Sequence, residues 1–446
     1  MRGILGARCS RSLEAFKMRP RLVVVLAAAV LLSGAAGSAA QEAAAPDLFT
    51  VVAEGDASGV RTQRATIMFA RQIRVDTDLL LRTTTPGSRL SLDLAPDVRV
   101  VAEFSTIRND EFHGAVWSGT IIGDPMSAAH LVVEGGIVVG TVSYRGRGFD
   151  IRPRGRGRGV IVEYDATALP EGNDVLVDPV VDAFEADRGP TVDAEPLAND
   201  VTVDLLALYM PEAAKEVGGA KMMKADWKLT VAVMNAALQA SGVPMVIRLV
   251  GLKKMKYNGP LDNDIPGGAV LKALRTVGDG QMEKAHKFRK KFGADFVSMA
   301  IAHTEGICGL GYVSGANSGA RPEDAVRAFN IVRSDCVGSY GAFTFGHEGG
   351  HNMGLRHNPE DNGVQSGAYP SSFGHRVPGS FRTVMSYSCT TDGLSRCDRA
   401  GYFSNPKKTH LGSKTGIKKK RDNAGSLKKD AKVIGAWVGC KKSCGS

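Results

Sequence analysis

The stretch HEGGHNMGLRH, residues 347–357, constrains this chain more than any other feature of its sequence. It places His347, His351 and His357 within eleven residues, although the whole chain has only nine histidines. On a helix, His347 and His351 share one face because they are four residues apart. A continued helix would turn His357 roughly 240° away, so we expect the helix to end at Gly354, which tolerates a left-handed conformation. The spacing therefore predicts three imidazoles around one metal ion.

Three imidazoles leave one corner of a tetrahedron open, an arrangement typical of catalytic rather than structural zinc sites. One Zn²⁺ ion is therefore the predicted cofactor, and it would activate a water molecule. Glu348 directly follows the first histidine and is the candidate general base for that water. A calcium site is an alternative that no motif in the sequence supports. The other histidines lack such spacing, and we expect them to be structural or solvated: His113, His130, His286, His303, His375 and His410.

At these residues the chain resembles the metzincin metalloproteases, whose HExxHxxGxxH signature it matches at every fixed position. The segment FRTVMSY resembles the methionine turn of that group and places Met385 28 residues after His357. The stretches CGLGYV, TFGHEGGHNMGLRH, YFSNP and DNAGSL resemble the bacterial reprolysin-like, or adamalysin-type, proteases. This resemblance covers residues 201–446.

The resemblance implies zinc on the three histidines, Glu348 as base, and a protein or peptide substrate. The extended substrate would pair with four residues of an edge strand: Gly309, Leu310, Gly311 and Tyr312. Strands and helices alternate after residue 200, with 211–240 and 268–291 reading as helices, which predicts an α/β (α+β) domain. The fold class is therefore a metzincin-type domain with a mixed sheet and an active-site helix, preceded by a mostly β pro-domain.

Three departures from the family pattern matter. Asn358 follows the third histidine where reprolysins usually have aspartate. Tyr387 lies two residues after Met385, as in astacins and serralysins, whose tyrosine ligates zinc or donates to the developing oxyanion; a packed core tyrosine is the alternative. No cysteine occurs between Cys9 and Cys308, which excludes a thiolate block of the zinc by the intervening segment.

Charge divides the chain near residue 200. Residues 41–200 carry 15 basic and 25 acidic residues, whereas residues 201–446 carry 35 basic and 20 acidic ones. Opposite charges in one chain favour an inhibitory propeptide on a basic catalytic domain, with two independent domains as the alternative. The predicted domains are a signal peptide over 1–40, an acidic β-rich propeptide over 41–199, and a catalytic domain over 200–446. The Pro- and Asp-rich stretch 185–200 is the candidate cleavage linker.

The apolar run after the first arginines is too short to span a membrane, so we expect export without a transmembrane segment. The destination is extracellular, with the periplasm as the alternative. Six cysteines remain after the signal, which favours three disulfides over free thiols. The preferred pairs are Cys308 with Cys336 and Cys389 with Cys397, and Cys440 with Cys444 is the least certain pair.

Basic runs are the main competing signal. The Arg-Gly repeats at 145–159 suggest nucleic-acid binding, but their place between strands favours a solvated hairpin. The basic run at 407–442 reads as a solvated face or an attraction to acidic substrates. The sequence thus predicts a monomeric, secreted zinc endopeptidase made as a zymogen, with its own propeptide as inhibitor and no nucleic-acid partner. The alternatives are a catalytically silent zinc-fold binding protein and a secreted polyanion-binding protein.

Overall fold

The computed structural model describes eleven stretches of the chain: residues 44–55, 67–105, 115–165, 175–176, 200–259, 267–302, 306–315, 317–338, 343–362, 366–389 and 397–438. The predicted signal peptide over 1–40, most of the linker over 185–200, and the Cys440 and Cys444 pair lie outside these stretches. Among the described helices, none combines the length and the apolar character that crossing a membrane requires.

The acidic segment folds as one nine-stranded antiparallel sheet, the N-terminal sheet. Its strand order is β1-β2-β9-β8-β7-β6-β5-β4-β3. Glycines with positive φ allow tight hairpins, as at Gly135 and Gly136 between β6 and β7. A short helix, α1 (Thr77–Arg82), joins β2 to β3. The strands are β1 (Phe49–Glu54), β2 (Ile67–Val75), β3 (Arg89–Ala95), β4 (Val98–Phe104), β5 (Ala115–Ile121), β6 (Asp124–Glu134), β7 (Ile137–Tyr144), β8 (Arg147–Pro153) and β9 (Arg158–Tyr164).

The Arg-Gly repeats form the β8–β9 hairpin, as predicted, but the expectation that this hairpin is solvated is wrong for Arg152. The Arg147 guanidinium pairs with Glu163 and Asp97 of the same sheet. The Arg152 side chain is 12% exposed and pairs with Asp226, beyond residue 200. The hairpin therefore contacts the segment after residue 200 through the ion pair of Arg152 with Asp226.

Five strands after residue 200 and one short strand before it, β10, form a six-stranded mixed sheet with the order β10-β14-β15-β13-β11-β12. All neighbours in it are parallel except β14 and β15. The strands are β10 (Val175–Leu176), β11 (Val201–Tyr209), β12 (Met245–Lys254), β13 (Phe296–Ile301), β14 (Gly309–Tyr312) and β15 (Phe329–Arg333). The first helices are α2 (Pro211–Glu216), α3 (Ala220–Ala240), α4 (Gly268–Arg275) and α5 (Glu283–Phe292).

Two predicted helices are each divided in the structure. Gly218 and Gly219, with φ of 101° and 114°, separate α2 from α3 inside the predicted 211–240 helix. Gly278 and Gly280, with φ of 84° and 77°, lie between α4 and α5. Left-handed backbone cannot continue an α-helix, so each glycine pair interrupts the helical run.

The long helix α3 lies between the two sheets. It packs against β12 on one side and against β5, β6 and β7 on the other. Most of its residues are buried, including Trp227 and Lys228, which explains why this helix is apolar around most of its circumference. The N-terminal sheet has its own apolar core, which includes Leu92, Trp117 and Phe149.

The C-terminal part supplies the helices and short strands around the histidine motif. The helices are α6 (Thr344–Asn352), α7 (Pro359–Asn362) and α8 (Asn423–Ile434), and the strands are β16 (Arg376–Val377), β17 (Phe381–Arg382), β18 (Asp398–Arg399), β19 (Thr409–His410) and β20 (Ser413–Lys414). Disulfides join Cys308 to Cys336 and Cys389 to Cys397, each with a Cα–Cα distance of 5.7 Å. The first disulfide anchors the residue that directly precedes β14, and the second joins residues 389 and 397, which follow Met385 in the chain.

Candidate metal centre

The helix α6 carries His347 and His351 on one face and ends before His357. Gly354 has a φ of 81°, so the helix ends in the left-handed conformation that the sequence predicts. Gly350 permits a close approach, because a Cβ there would lie 2.4 Å from the Met385 sulfur. The predicted methionine turn therefore packs directly against the histidine helix.

The three imidazoles converge on one point. The Nε2 atoms of His347 and His351 are 3.1 Å apart, and those of His347 and His357 are also 3.1 Å apart. The third distance, from His351 to His357, is 2.9 Å. Each histidine is nearly inaccessible to solvent. Among the described residues, this is the one group of His, Cys, Asp or Glu side chains with the spacing of a metal site.

Hydrogen bonds determine which imidazole nitrogen faces this point. Nδ1 of His347 lies 2.8 Å from the carbonyl of Val384, and Nδ1 of His351 lies 2.9 Å from the carbonyl of Leu355. A carbonyl only accepts, so both Nδ1 atoms carry the proton and both Nε2 atoms present lone pairs. Lone pairs about 3 Å apart repel unless a cation lies among them, and tetrahedral Zn–N bonds of about 2.0–2.1 Å imply a similar spacing. The donor set therefore fits a zinc ion.

Two glycines of β14 make room for the carboxylate of Glu348. A Cβ on Gly309 would lie 2.5 Å from Glu348 Oε1, and one on Gly311 would lie 3.1 Å from Oε2. The predicted edge strand GLGY therefore lies directly against the carboxylate. However, β14 is not the outermost strand of the sheet, because Val175–Leu176 pairs with it on the outer side.

Replacing Gly309 with alanine is expected to lower kcat roughly 10- to 100-fold, because the added methyl group displaces the Glu348 carboxylate. We expect the acid limb of the kcat–pH profile to move, while zinc content and KM stay close to those of the unaltered protein. Gly401→Ala is the matched control, since a Cβ there meets only Phe343 carbons at 3.4–3.5 Å. An unchanged kcat and pH profile for Gly309→Ala would refute this positioning role.

The side-chain amide of Asn358 both donates and accepts hydrogen bonds, which explains why asparagine replaces the aspartate of the family pattern here. Its Oδ1 accepts from the backbone N–H of Tyr387 at 3.1 Å. Its Nδ2 donates to Asp361 at 2.8 Å and to Glu360 at 3.1 Å. An ionised aspartate could accept the first bond but could not donate the other two. Asparagine therefore suits a site that already contains two carboxylates.

Tyr387 lies over the third histidine. The ring centroids of Tyr387 and His357 are 4.0 Å apart, and those of Tyr387 and His347 are 6.3 Å apart. The tyrosine is thus beside the metal centre, and its backbone is held by Asn358.

Two arginines pair with the carboxylates that Asn358 contacts. The Arg376 guanidinium donates to Asp361 Oδ2 and to the carbonyl of Ser388, both at 3.1 Å. Arg421 pairs with Glu360 and lies 3.2 Å from Nδ1 of His375. Burial lowers the pKa of His375 to about 4, and the charge of Arg421 lowers it further. At neutral pH, Arg376 and Arg421 therefore carry positive charge, whereas His375 is neutral.

The sequence reasoning missed Asn352, the residue after the second histidine. Its buried amide donates to the carbonyls of Tyr312 and Phe329, at 2.8 and 3.1 Å. Its oxygen accepts from Asn330 at 2.8 Å. These bonds attach α6 to β14 and β15. A polar residue in a buried helix was the available signal, but its partners are distant in sequence.

Residues 200–419 match a family described as metallo-peptidase family M12B, reprolysin-like. A peptidyl-Asp metalloendopeptidase from Xanthomonas campestris is 30% identical over 314 residues, which cover 67% of each chain. A protein of the same name from Stenotrophomonas maltophilia is 29% identical over 324 residues, 70% of this chain and 71% of that one. One from Pseudomonas aeruginosa is 32% identical over 223 residues, 46% of this chain and 35% of the relative.

Two solved structures are also similar. Metalloproteinase-II from Bacteroides fragilis is 12% identical, with a TM-score of 0.40 over 63% of this chain and 85% of that chain. A chain from a chaperone–substrate complex is 18% identical, with a TM-score of 0.41 over 67% of this chain and 39% of that chain.

Proposed function

The chain belongs to the reprolysin-like M12B metallopeptidases and is a zinc metalloendopeptidase, and from this premise we propose that His347, His351 and His357 hold the zinc ion. The observation that carries this assignment is the convergence of three buried Nε2 atoms within 3.1 Å of one another. When bound, the zinc supplies a Lewis acid that polarises the substrate carbonyl and lowers the pKa of a water molecule.

Glu348 is the general base and then the general acid. Its carboxylate lies beside the first ligand and under the backbone of β14. It takes a proton from the attacking water as the water oxygen bonds to the carbonyl carbon. It then gives that proton to the amine as the peptide C–N bond breaks.

Tyr387 donates a hydrogen bond from its hydroxyl to the oxygen of the reacting carbonyl. The position of its ring, 4.0 Å from that of His357, supports this role over that of a distant core residue. A preorganised donor at such an oxygen stabilises the charge that develops there.

The substrate lies extended along residues 309–312. Support comes from the backbone pairing of Val175–Leu176 with Gly311 and Tyr312, since the same strand already accepts an extended partner. Backbone pairing holds the substrate without demanding a particular side chain at each position.

Residues 41–199 form an inhibitory propeptide that follows an export signal over 1–40. Residues 41–200 carry an excess of acidic residues, the N-terminal sheet packs against α3 of the basic segment, and β10 pairs with β14, the strand that we assign to the substrate. The two disulfides fit an exported protein. The mature enzyme is therefore secreted, with the periplasm as the alternative destination.

We infer that the cleaved bond lies next to aspartate, because the three relatives are named peptidyl-Asp metalloendopeptidases. The net positive charge of residues 201–446 favours an acidic side chain in the substrate. The silent zinc-fold protein and the polyanion binder are not favoured, since Glu348 is intact and the relatives are endopeptidases.

Intact mass and N-terminal sequencing of the purified chain test this function. After incubation with zinc, we expect the unaltered protein to lose the acidic segment and Glu348→Gln to keep it. If neither form is processed, casein digestion after artificial removal of residues 41–199 separates external activation from absence of protease activity. No casein digestion by that shortened protein would refute the proposed function.

A further inference from the structure

The N-terminal sheet contacts the rest of the chain through an apolar layer on α3. Val132 and Val139, from β6 and β7, belong to the same buried cluster as Met223 and Trp227 of α3. Burial of apolar surface supplies affinity but does not fix the orientation of the sheet on α3. Polar contacts beside the apolar layer must therefore fix that orientation.

Glu134, at the end of β6, provides the first of these contacts. It accepts from Lys228 at 2.7 Å and from Lys224 at 2.9 Å, both on α3. The Lys228 side chain is completely buried. A buried ammonium group without a partner is strongly unfavourable, so Glu134 is matched to this position.

Arg152 provides the second contact. It pairs with Asp226 on α3 and with Asp150 at 3.2 Å within its own sheet. Burial raises the pKa of Asp226 to about 6, and the charge of Arg152 opposes that rise. The two contacts place a negative and a positive group of the sheet against complementary groups on α3, with Asp226 two residues from each lysine.

The contact at β14 is much smaller. Within the part of the chain that the structure describes, Val175 and Leu176 are the residues that pair there, in parallel with Gly311 and Tyr312. Each backbone hydrogen bond contributes little net free energy, so a two-residue strand binds weakly as a separate ligand. Attachment to an already docked sheet makes its binding intramolecular and raises its effective concentration.

The residues that contact α3 and the residues that pair with β14 all lie on the N-terminal side of residue 177. Any cut within the candidate linker over 185–200 therefore leaves the docked sheet and the strand on one fragment. That fragment contacts α3 through ion pairs and apolar packing, and it contacts β14 through backbone pairing. Neither contact requires an uncut chain.

We propose that the α3 face is a docking surface for the released propeptide, which stays bound after cleavage and still covers β14 through Val175–Leu176. This inference rests on the proposed zymogen function. Chain cleavage and activation are then separate events: the cut creates a two-chain inhibited complex, and activity requires the fragment to leave α3.

The test uses the full chain with a site for a sequence-specific protease placed in 185–200. After cutting at micromolar concentration, we expect both fragments to elute together in gel filtration and peptidase activity to stay low. Dilution or digestion of the fragment is expected to raise activity at least about tenfold. Separation of the fragments immediately after the cut would overturn the proposal, and it is read without any activity measurement.

A charge variant tests the docking surface itself. Glu134→Lys places a positive charge against Lys228 and Lys224. We expect the cut fragment of this variant to bind the rest of the protein at least about 100-fold more weakly. Glu103→Lys is the matched control, because this carboxylate is 42% exposed and pairs with Arg89 inside the sheet. Equal retention of the two fragments would overturn the role of Glu134.

A third variant separates docking from occupation of β14. Val175→Pro removes a backbone donor and is expected to keep co-elution while activity appears on cutting. Low activity of that complex would overturn the role of β10. Absence of activity from every form, including one freed of the fragment, would count against the proposed function, whereas co-elution would still support docking.

Discussion

Replacing Glu348 with glutamine is expected to lower kcat by about 10²- to 10⁴-fold while leaving zinc bound. Glutamine has nearly the same shape but cannot take a proton from water. The zinc ligands are unchanged, because the carboxylate is not one of the three converging nitrogens. The measurements are peptide hydrolysis by the mature form and zinc content by atomic absorption.

Glu283→Gln is the matched control for that substitution. Glu283 begins α5 and accepts backbone N–H groups of Gly278 and Gly280 at the surface. We expect its kcat to equal that of the unaltered enzyme. Full activity of Glu348→Gln with zinc retained would rule out the general-base role, whereas loss of zinc from it would assign Glu348 to metal binding.

A peptide with aspartate beside the cleaved bond is expected to be hydrolysed roughly 30- to 4,000-fold faster, by kcat/KM, than its asparagine analogue. This range corresponds to the usual effect of truncating one partner of a buried charge pair. Asparagine keeps the shape and the carbonyl but lacks the charge that would face a cation. The measurement compares two peptides that differ at this residue alone.

Salt separates two origins of such a preference. A side chain recognised in a desolvated pocket keeps its advantage at high salt, whereas general attraction to a basic surface is screened. The control pair of peptides has aspartate or asparagine eight residues from the cleaved bond. Equal kcat/KM values for the aspartate and asparagine peptides would contradict the proposed specificity.

The histidine spacing and one glycine were sufficient to predict the central helix, because both act within a single turn. His347 and His351 share a face by helix geometry, and Gly354 ends the helix with a φ of 81°. The apolar runs of the acidic segment, separated by Gly, Pro and Asp, likewise predicted a mostly β fold, since hairpin strands are local. These features depend on neighbours in sequence.

Other features depend on partners that sequence does not reveal. Arg152 meets Asp226 across 74 residues, and Asn352 meets Asn330 across 22. The helix division at Gly218 and Gly219 was missed because glycines within an apolar run are tolerated in many helices. Hydrophobic periodicity carries no information on the pairing of β10 with β14, since a two-residue strand has no measurable period.

The close approach of Gly309 and Gly311 to Glu348 restricts how this enzyme can diversify. A Cβ on Gly309 would lie 2.5 Å from Glu348 Oε1, and one on Gly311 would lie 3.0 Å from the Glu348 carbonyl oxygen, so the face of β14 that meets Glu348 leaves little room for side chains. New preferences for substrate must therefore arise elsewhere, in loops that surround the zinc without touching the base.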